Sequence, residues 1–488
     1  MKLYKIRKCK YYFIAAIFLG CLILSFFNIN VYESQIIGTY IDGKETEQLP
    51  TKNSGYAVEK IVCDNNQNAS WDYHKWGIKL TNLSKRGRCS VYFKTLEKVN
   101  ISKISFYVDE VQRCPTVNDD GSLKGNVESR FTEKEYGYIC SAPDAYGTSY
   151  YFRGNVTDNY VYFAGFYWRI MRINGDGTVR VIYNGKSAYS NGKFENVATS
   201  YFNKFDNDPA YVGYMYGNLS KLEIPLSKSY TIPSSSSFYL AKGYTEDASN
   251  NIFSLKNPVL VKGSDINESY LNYYRYFYQG KQTGAHEIYK MTSMDSSGKF
   301  YHNVIKYGSS NFQQAQTNTN DSTIKTVVDK WYESNIKGTT YENYLTDNIF
   351  CNDRSICEGS GSTDQTIKTS FCRKKTLICP QKNDAFTVND TSKGNGALKY
   401  PVGLISAAEA SLNDYFIGNS NKFWTATPYK YGDDYSYYGD TEGCYVAGYD
   451  ITCFFGVNDF SRGVNPVINL KSDIFNNGSG TMDDPYHV

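Results

Sequence analysis

Tyr160-Val161-Tyr162-Phe163-Ala164-Gly165-Phe166-Tyr167-Trp168-Arg169-Ile170-Met171-Arg172-Ile173-Asn174-Gly175-Asp176-Gly177-Thr178-Val179-Arg180-Val181-Ile182-Tyr183 is the stretch that decides the fold. Apolar and charged positions alternate from Phe166 to Ile173 and again from Thr178 to Tyr183. Successive side chains of a strand point to opposite faces, so both arms read as strands. Asn174-Gly175-Asp176-Gly177 supplies the turn between them, and the whole is a hairpin signal. A phosphate-binding loop would need a helix after the glycines, and a second strand follows instead.

Outward from this hairpin, a C-terminal domain is expected over residues 146–488. Residues 218–316 are rich in Ser, Tyr and Asn with short β-like runs such as Pro258-Val259-Leu260-Val261, and read as a β-rich insertion. Ile324, Val327, Val328 and Trp331 then fall on one helical face, with Asn320 or Asp321 as the cap and Gly338 beyond the end. That stripe reads as core packing. Ser406-Ala407-Ala408-Glu409 fits a capping box, which accounts for Glu409 with fewer assumptions than a catalytic acid does. Late strands are expected over Phe423–Thr427, Gly443–Tyr449, Ile451–Phe455 and Asn465–Leu470.

Before the domain, residues 51–97 read as a small β module and residues 98–145 as a connector. Asp119-Asp120-Gly121 lacks the first and twelfth ligands of an EF-hand. Residues 32–50 are polar without a clear period and read as a linker. Lys2, Lys5, Arg7, Lys8 and Lys10 mark residues 1–10 as a cytoplasmic tail by the positive-inside rule. The apolar run Tyr11–Phe27, extended by Ile29 and Val31, is the expected membrane anchor, residues 11–31. As a helix its core rises about 25 Å, against about 30 Å of bilayer hydrocarbon, so spanning with flanking residues is feasible. A cleaved signal peptide is the alternative, although Ser25-Phe26-Phe27-Asn28 lacks a small-x-small site. The expected location is the cell membrane, single-pass with the C-terminal region outside, or secreted if the segment is cleaved.

Twelve cysteines are present, ten of them beyond the tail and anchor. Even, clustered cysteines in an exported chain read as disulfides. The favoured pairings are Cys63–Cys89, Cys114–Cys140, Cys351–Cys379, Cys357–Cys372 and Cys444–Cys453, although spacing alone does not fix connectivity. Each of the first two closes a loop worth roughly 3–4 kcal/mol in the chain-entropy model. No C-x-x-C pair or H-E-x-x-H motif points to a metal. Basic and acidic residues number 52 and 49, a balance that argues against a nucleic-acid partner. Tyrosine reaches 47 residues alongside much Asn, Lys, Ile and Phe, as AT-rich coding would give.

Several segments in fixed order carry a resemblance. They include Cys140-Ser141-Ala142-Pro143-Asp144, Tyr151-Phe152-Arg153-Gly154-Asn155, Phe166-Tyr167-Trp168-Arg169-Ile170, Phe350-Cys351-Asn352-Asp353-Arg354, Cys379-Pro380-Gln381-Lys382-Asn383-Asp384, Trp424-Thr425-Ala426-Thr427-Pro428 and Pro466-Val467-Ile468-Asn469-Leu470. Together they resemble a family of surface proteins of low-GC Gram-positive bacteria, many from the gut, named for sequence rather than activity. That family is distantly similar to formylglycine-generating-enzyme and C-type-lectin-like folds. The implied fold class is α+β: a small N-terminal β module, then a C-type-lectin-like or sulfatase-modifying-factor-like α+β domain with a long β-rich insertion. The enzyme branch uses redox cysteines, but a structural Cys444–Cys453 disulfide is the simpler account.

Binding is therefore favoured over catalysis, with glycan, host or envelope components as partners. The candidate ligand-binding residues are Asp433, Asp434, Tyr435, Tyr437, Tyr438 and Asp440. Aromatic rings there could stack on a sugar while carboxylates accept its hydroxyls or hold calcium. No other cofactor and no catalytic residue is assigned. A carboxylate-dependent hydrolase and a structural spacer without a small-molecule ligand are the alternatives. Arg354 and Arg462 are expected in buried pairs near Asp353 and Asp459, and Trp168 and Trp424 in the core.

Overall fold

The computed structural model describes residues 36–51, 54–64, 66–72, 75–81, 87–101, 104–108, 114–124, 137–191, 193–276, 284–356, 369–370, 375–413, 422–432, 440–447 and 450–488. The expected tail and anchor lie outside these residues. Among the described residues no helix is long and apolar enough to cross a membrane. The chain is strand-rich, with several sheets and few helices. It divides into two units, Met1–Glu97 and Lys98–Val488.

The first unit is a four-stranded sheet in the order β2-β1-β6-β3, with a separate β4–β5 hairpin. β1 is Ile36–Ile41, β2 Lys44–Thr46, β3 Tyr56–Cys63, β4 Asn68–Asp72, β5 Gly77–Thr81 and β6 Arg88–Thr95. Val58, Trp71, Val91 and Phe93 form its core, with Trp71 edge-on to Phe93 at 5.3 Å. Four buried side chains make a small core, and Cys63–Cys89 adds a covalent tie between β3 and β6, where the two cysteines sit opposite in register.

One expectation fails here. The linker expected over residues 32–50 instead contributes β1 and β2, and β1 is parallel to β6. Ile36-Ile37-Gly38-Thr39-Tyr40-Ile41 is β-branched, which suits a strand, but it does not alternate. Gly38 and Thr39, not the flanking Ile37, are its buried positions. A local pattern could not reveal a partner so far along the chain.

In the second unit the expected hairpin forms, Phe166–Ile173 against Val179–Gly185, with Ile173 opposite Val179. It sits in a nine-stranded sheet. The order is Val402–Gly403, Val467–Leu470, Val179–Gly185, Phe166–Ile173, Gly147–Gly154, Gly137–Asp144, Ile104–Val108 and Glu97–Ile101, with Tyr160–Phe163 also on Phe166–Ile173. Residues 98–145 thus hold strands of the main sheet and are more than a connector. A second sheet runs Ala198–Ser200, Arg462–Val464, Phe423–Gly432, Asp440–Ala447 and Asp450–Gly456. Both sheets share one core with the helix Thr323–Asn335: Trp168, Ile170, Val181, Trp424, Val464, Ile324 and Val328 all pack within it. The helix cap is Ser322, whose hydroxyl accepts from the Lys325 N–H, rather than Asn320 or Asp321. Trp331 packs against this core while half-buried.

The insertion builds its own six-stranded sheet, Ser220–Pro225, Phe300–Gly308, Glu287–Met294, Tyr274–Tyr276, Ser237–Ala241 and Val259–Lys262. His302 on this sheet is buried, and neither ring nitrogen has a hydrogen-bond partner among the described residues. Tyr230, Tyr289 and Phe300 surround the ring. Arg275 lies over the Tyr230 and Tyr289 rings, 4.9 and 4.8 Å from their centroids. Burial, then the Arg275 charge, push the imidazole down to about 3. In the unfolded chain it titrates near 6.5, so between those values the unfolded state binds the extra proton. Stability from this site is complete above about pH 6.5 and drains as pH falls toward 3. His302→Phe is expected to flatten that slope, read by urea unfolding across the acid range. At neutral pH it should change stability by under about 1.5 kcal/mol, since no hydrogen bond is lost. An unchanged slope would place the acid sensitivity elsewhere.

Candidate functional site

Of the residues expected to bind ligand, Asp433, Asp434, Tyr435, Tyr437 and Tyr438 lie outside the described residues. Asp440 opens the strand Asp440–Ala447, its backbone opposite Gly432. The described residues carry a second aromatic surface, on the hairpin of Tyr160–Phe163 and Phe166–Ile173. Ala164 and Gly165 join the two strands, and both have positive φ, 53° and 81°. Two left-handed residues make the tight turn whose twist matches paired strands. The turn sets Phe163 opposite Phe166 and Tyr162 opposite Tyr167.

Each face of this hairpin is aromatic. On one, Trp331 meets Phe166 at 5.6 Å and Trp168 at 5.8 Å, and Tyr341 meets Phe163 at 5.1 Å. Trp168 is buried, and its indole N–H donates to the Phe163 carbonyl at 3.0 Å. On the other, Tyr162 packs against Tyr167 at 5.1 Å. Tyr162 is 42% exposed and Tyr341 36% exposed, so rings of both faces reach solvent. Arg169 holds the second face rigid. Its guanidinium lies 3.9 Å from the Tyr160 ring centroid and donates to Asn159 Oδ1, the Val156 carbonyl and Asn191 Oδ1 at 2.7, 2.9 and 2.7 Å. Burial pulls that guanidinium down to about 10, still charged at neutral pH. Tyr162 and Tyr167 were visible in the alternation of the opening stretch, but the turn at Ala164-Gly165 was needed to pair them.

The buried carboxylates are held in other ways. Glu409 completes the expected capping box: the Ser406 N–H donates to Glu409 Oε2 at 3.0 Å, and the Glu409 N–H donates to Ser406 Oγ at 3.1 Å. Its other oxygen faces Arg180 Nε at 2.8 Å and Arg172 Nε at 3.2 Å. Asp144 Oδ2 accepts from Arg172 Nη1 at 2.7 Å and from the Gly175 N–H at 2.9 Å. A Cβ at Gly175 would lie 2.4 Å from the Gly147 nitrogen, so the contact of these two turns requires glycine there. Asp208 accepts from the Ala210 and Ser309 N–H groups and the Ser309 hydroxyl, and its burial raises its carboxyl above the usual range.

Arg354 is buried as expected, but its partner is Asp384 at 2.6 Å rather than Asp353. Asp353 instead takes a left-handed conformation, φ 47°, and accepts from Ser355. Arg462 pairs with Asp459 at 3.1 Å. Trp424 is buried, its indole N–H donating to the Ser200 carbonyl at 2.9 Å. Disulfides join Cys63–Cys89, Cys114–Cys140 and Cys351–Cys379, with Cα separations of 4.1, 5.5 and 5.5 Å. Cys444 and Cys453 lie directly opposite on paired strands. Cys357 and Cys372 lie outside the described residues.

A small cleft of about 10 Å³, room for roughly one water, lies in the insertion among Tyr239, Phe253, Leu255, Pro258, Tyr276 and Ile288. Among the described residues no group of three His, Cys, Asp or Glu side chains could hold a metal ion. No family model, curated protein or solved structure matches this chain.

Proposed function

We propose that this chain is a membrane-anchored extracellular protein whose disulfide-braced domain is a non-enzymatic binding or adhesion module for glycan, host or envelope components. The observation that carries the reading is the aromatic hairpin of residues 160–173: half-exposed rings fixed on a strand pair whose backing is packed and hydrogen-bonded. Rigid aromatic rings with one apolar face and a polar tip suit sugar and protein surfaces alike. A C-type-lectin-like or sulfatase-modifying-factor-like arrangement of the second unit belongs to the same proposal. The tyrosine- and aspartate-bearing stretch from Asp433 to Asp440 remains its other candidate surface, with calcium as a candidate ligand.

The test is a glycan and mucin array probed with the oxidised chain beyond residue 31, which keeps β1 and β2, with and without calcium. Saturable binding is expected. Tyr162→Ala with Tyr167→Ala should weaken it about tenfold, the equivalent of roughly 1.4 kcal/mol. Tyr437→Ala with Asp434→Ala tests the other surface separately. Binding indifferent to all four changes would remove both surfaces. No binding from a folded, disulfide-complete sample would overturn the glycan reading.

A further inference from the structure

β1 bears on how the small module would carry a load. Its six residues pair in parallel with β6, Ile36 opposite Arg88 and Ile41 opposite Phe93. After Leu96 the chain runs from β6 into Glu97–Ile101, a strand of the nine-stranded sheet. The chain therefore enters the module at the N-terminal end of β1 and leaves it at the C-terminal end of β6. In a parallel pair those two points lie at opposite ends of the shared ladder. A pull between them drives the strands past each other along their length, and the β1–β6 hydrogen bonds are loaded together. An antiparallel pairing would have put both points at one end, and the same pull would open the bonds one at a time.

Two further features act on the same pair. Asp42, directly after β1, fastens it to the end of β6. The Asp42 N–H donates to the Phe93 carbonyl at 2.9 Å, and its carboxylate accepts from the Thr95 N–H at 3.0 Å and the Thr95 hydroxyl at 2.5 Å. Cys63–Cys89 ties β3 to β6 and closes off the chain between them, a sequence separation of 26. That loop stays closed even after β1 has slipped.

From this geometry we infer that β1 and β6 form a shear clamp, a tension-bearing coupling between the N-terminal side of the chain and the second unit. The source of the tension rests on the anchored, adhesive reading above. The clamp itself rests on the parallel register.

The test is single-molecule force spectroscopy on the full oxidised chain. One form is pulled between a handle placed before Ile36 and a handle at exposed Lys98. A second is pulled between exposed Lys44 and Lys98, which peels the same strands from their common end. The first rupture force is expected to be at least about twofold higher than the second, because the ladder bonds share the load. Equal forces would overturn the clamp. Ile37→Pro and Gly38→Pro provide an independent arm. Successive N–H groups of a strand point to opposite edges, so one of the two prolines removes a β1–β6 bond. That one should lower the shear force toward the peeling value, and no change from either proline would also overturn the clamp. Reductant should lengthen the released chain by about 90 Å, from the 26-residue loop, which identifies the event as this module. Retention of the chain by washed membranes is scored separately. Its loss would remove the anchored reading and leave the force ratio unchanged.

Discussion

Glu409→Ala is expected to cost about 3–5 kcal/mol, because it leaves two buried guanidiniums facing each other without their shared anion. Arg172 and Arg180 are 4% and 0% exposed, too deep for water to replace the carboxylate. The capping interaction at Ser406 is lost in the same change, which adds roughly 1 kcal/mol. Burial alone would raise the Glu409 carboxyl, but Arg180 and Arg172 outweigh it and hold the group below the usual carboxylate range. A depressed carboxyl contributes stability that is present above its unfolded pKa and lost as pH falls through the folded one. The variant and the parent should therefore differ most at neutral pH and converge in acid. Urea unfolding at several pH values checks this, and a constant difference down to strong acid would mean that charge pairing is not the cause.

Asp384→Ala should be of similar size, about 3–5 kcal/mol, for a related reason. Asp384 is fully buried and accepts from the Arg354 N–H and Nε at 2.5 and 2.7 Å. The remaining Arg354 donors are used by the Met215 and Gln316 carbonyls and Asn318 Oδ1 at 2.9, 3.2 and 2.9 Å. One guanidinium thus ties three other segments of the chain, at Met215, Gln316 to Asn318 and Asp384, to its own. Removing the acid strands the cation, whereas Arg354→Met with Asp384→Ala removes both charges. The double variant is expected to recover part of the loss, and a double-mutant cycle reads the coupling. Additive losses would contradict a specific pair. The adjacent Cys351–Cys379 disulfide and the pairing of Phe350 with Phe386 hold the same two segments, so the loss should appear as lowered stability with the disulfide intact.

Legibility in the sequence followed the range of the interaction. The hairpin of Phe166–Ile173 and Val179–Gly185 was readable because alternation and a glycine turn lie within one short stretch. The Ser406–Glu409 box was readable for the same reason. Arg354 could be recognised as a residue in need of a partner, but nearness in sequence pointed to Asp353, while the fold supplied Asp384. β1 was missed because its partner is parallel and remote. On the site, tyrosine-rich composition suggested aromatic surfaces. Only the paired positive φ values at Ala164 and Gly165 set Tyr162 beside Tyr167.

The long-range pairing within the nine-stranded sheet also dictates an order of events. Val467–Leu470 lies against Val179–Gly185, and Asn174 donates to Asn469 across a sequence separation of 295 residues. Contacts of such range close slowly, since the entropy of a very long loop must be lost before they form. A chain still being synthesised has no such partner strand to offer. Its early segments stay open until the late ones arrive, so closure of the main sheet waits until residues 467–470 have been made.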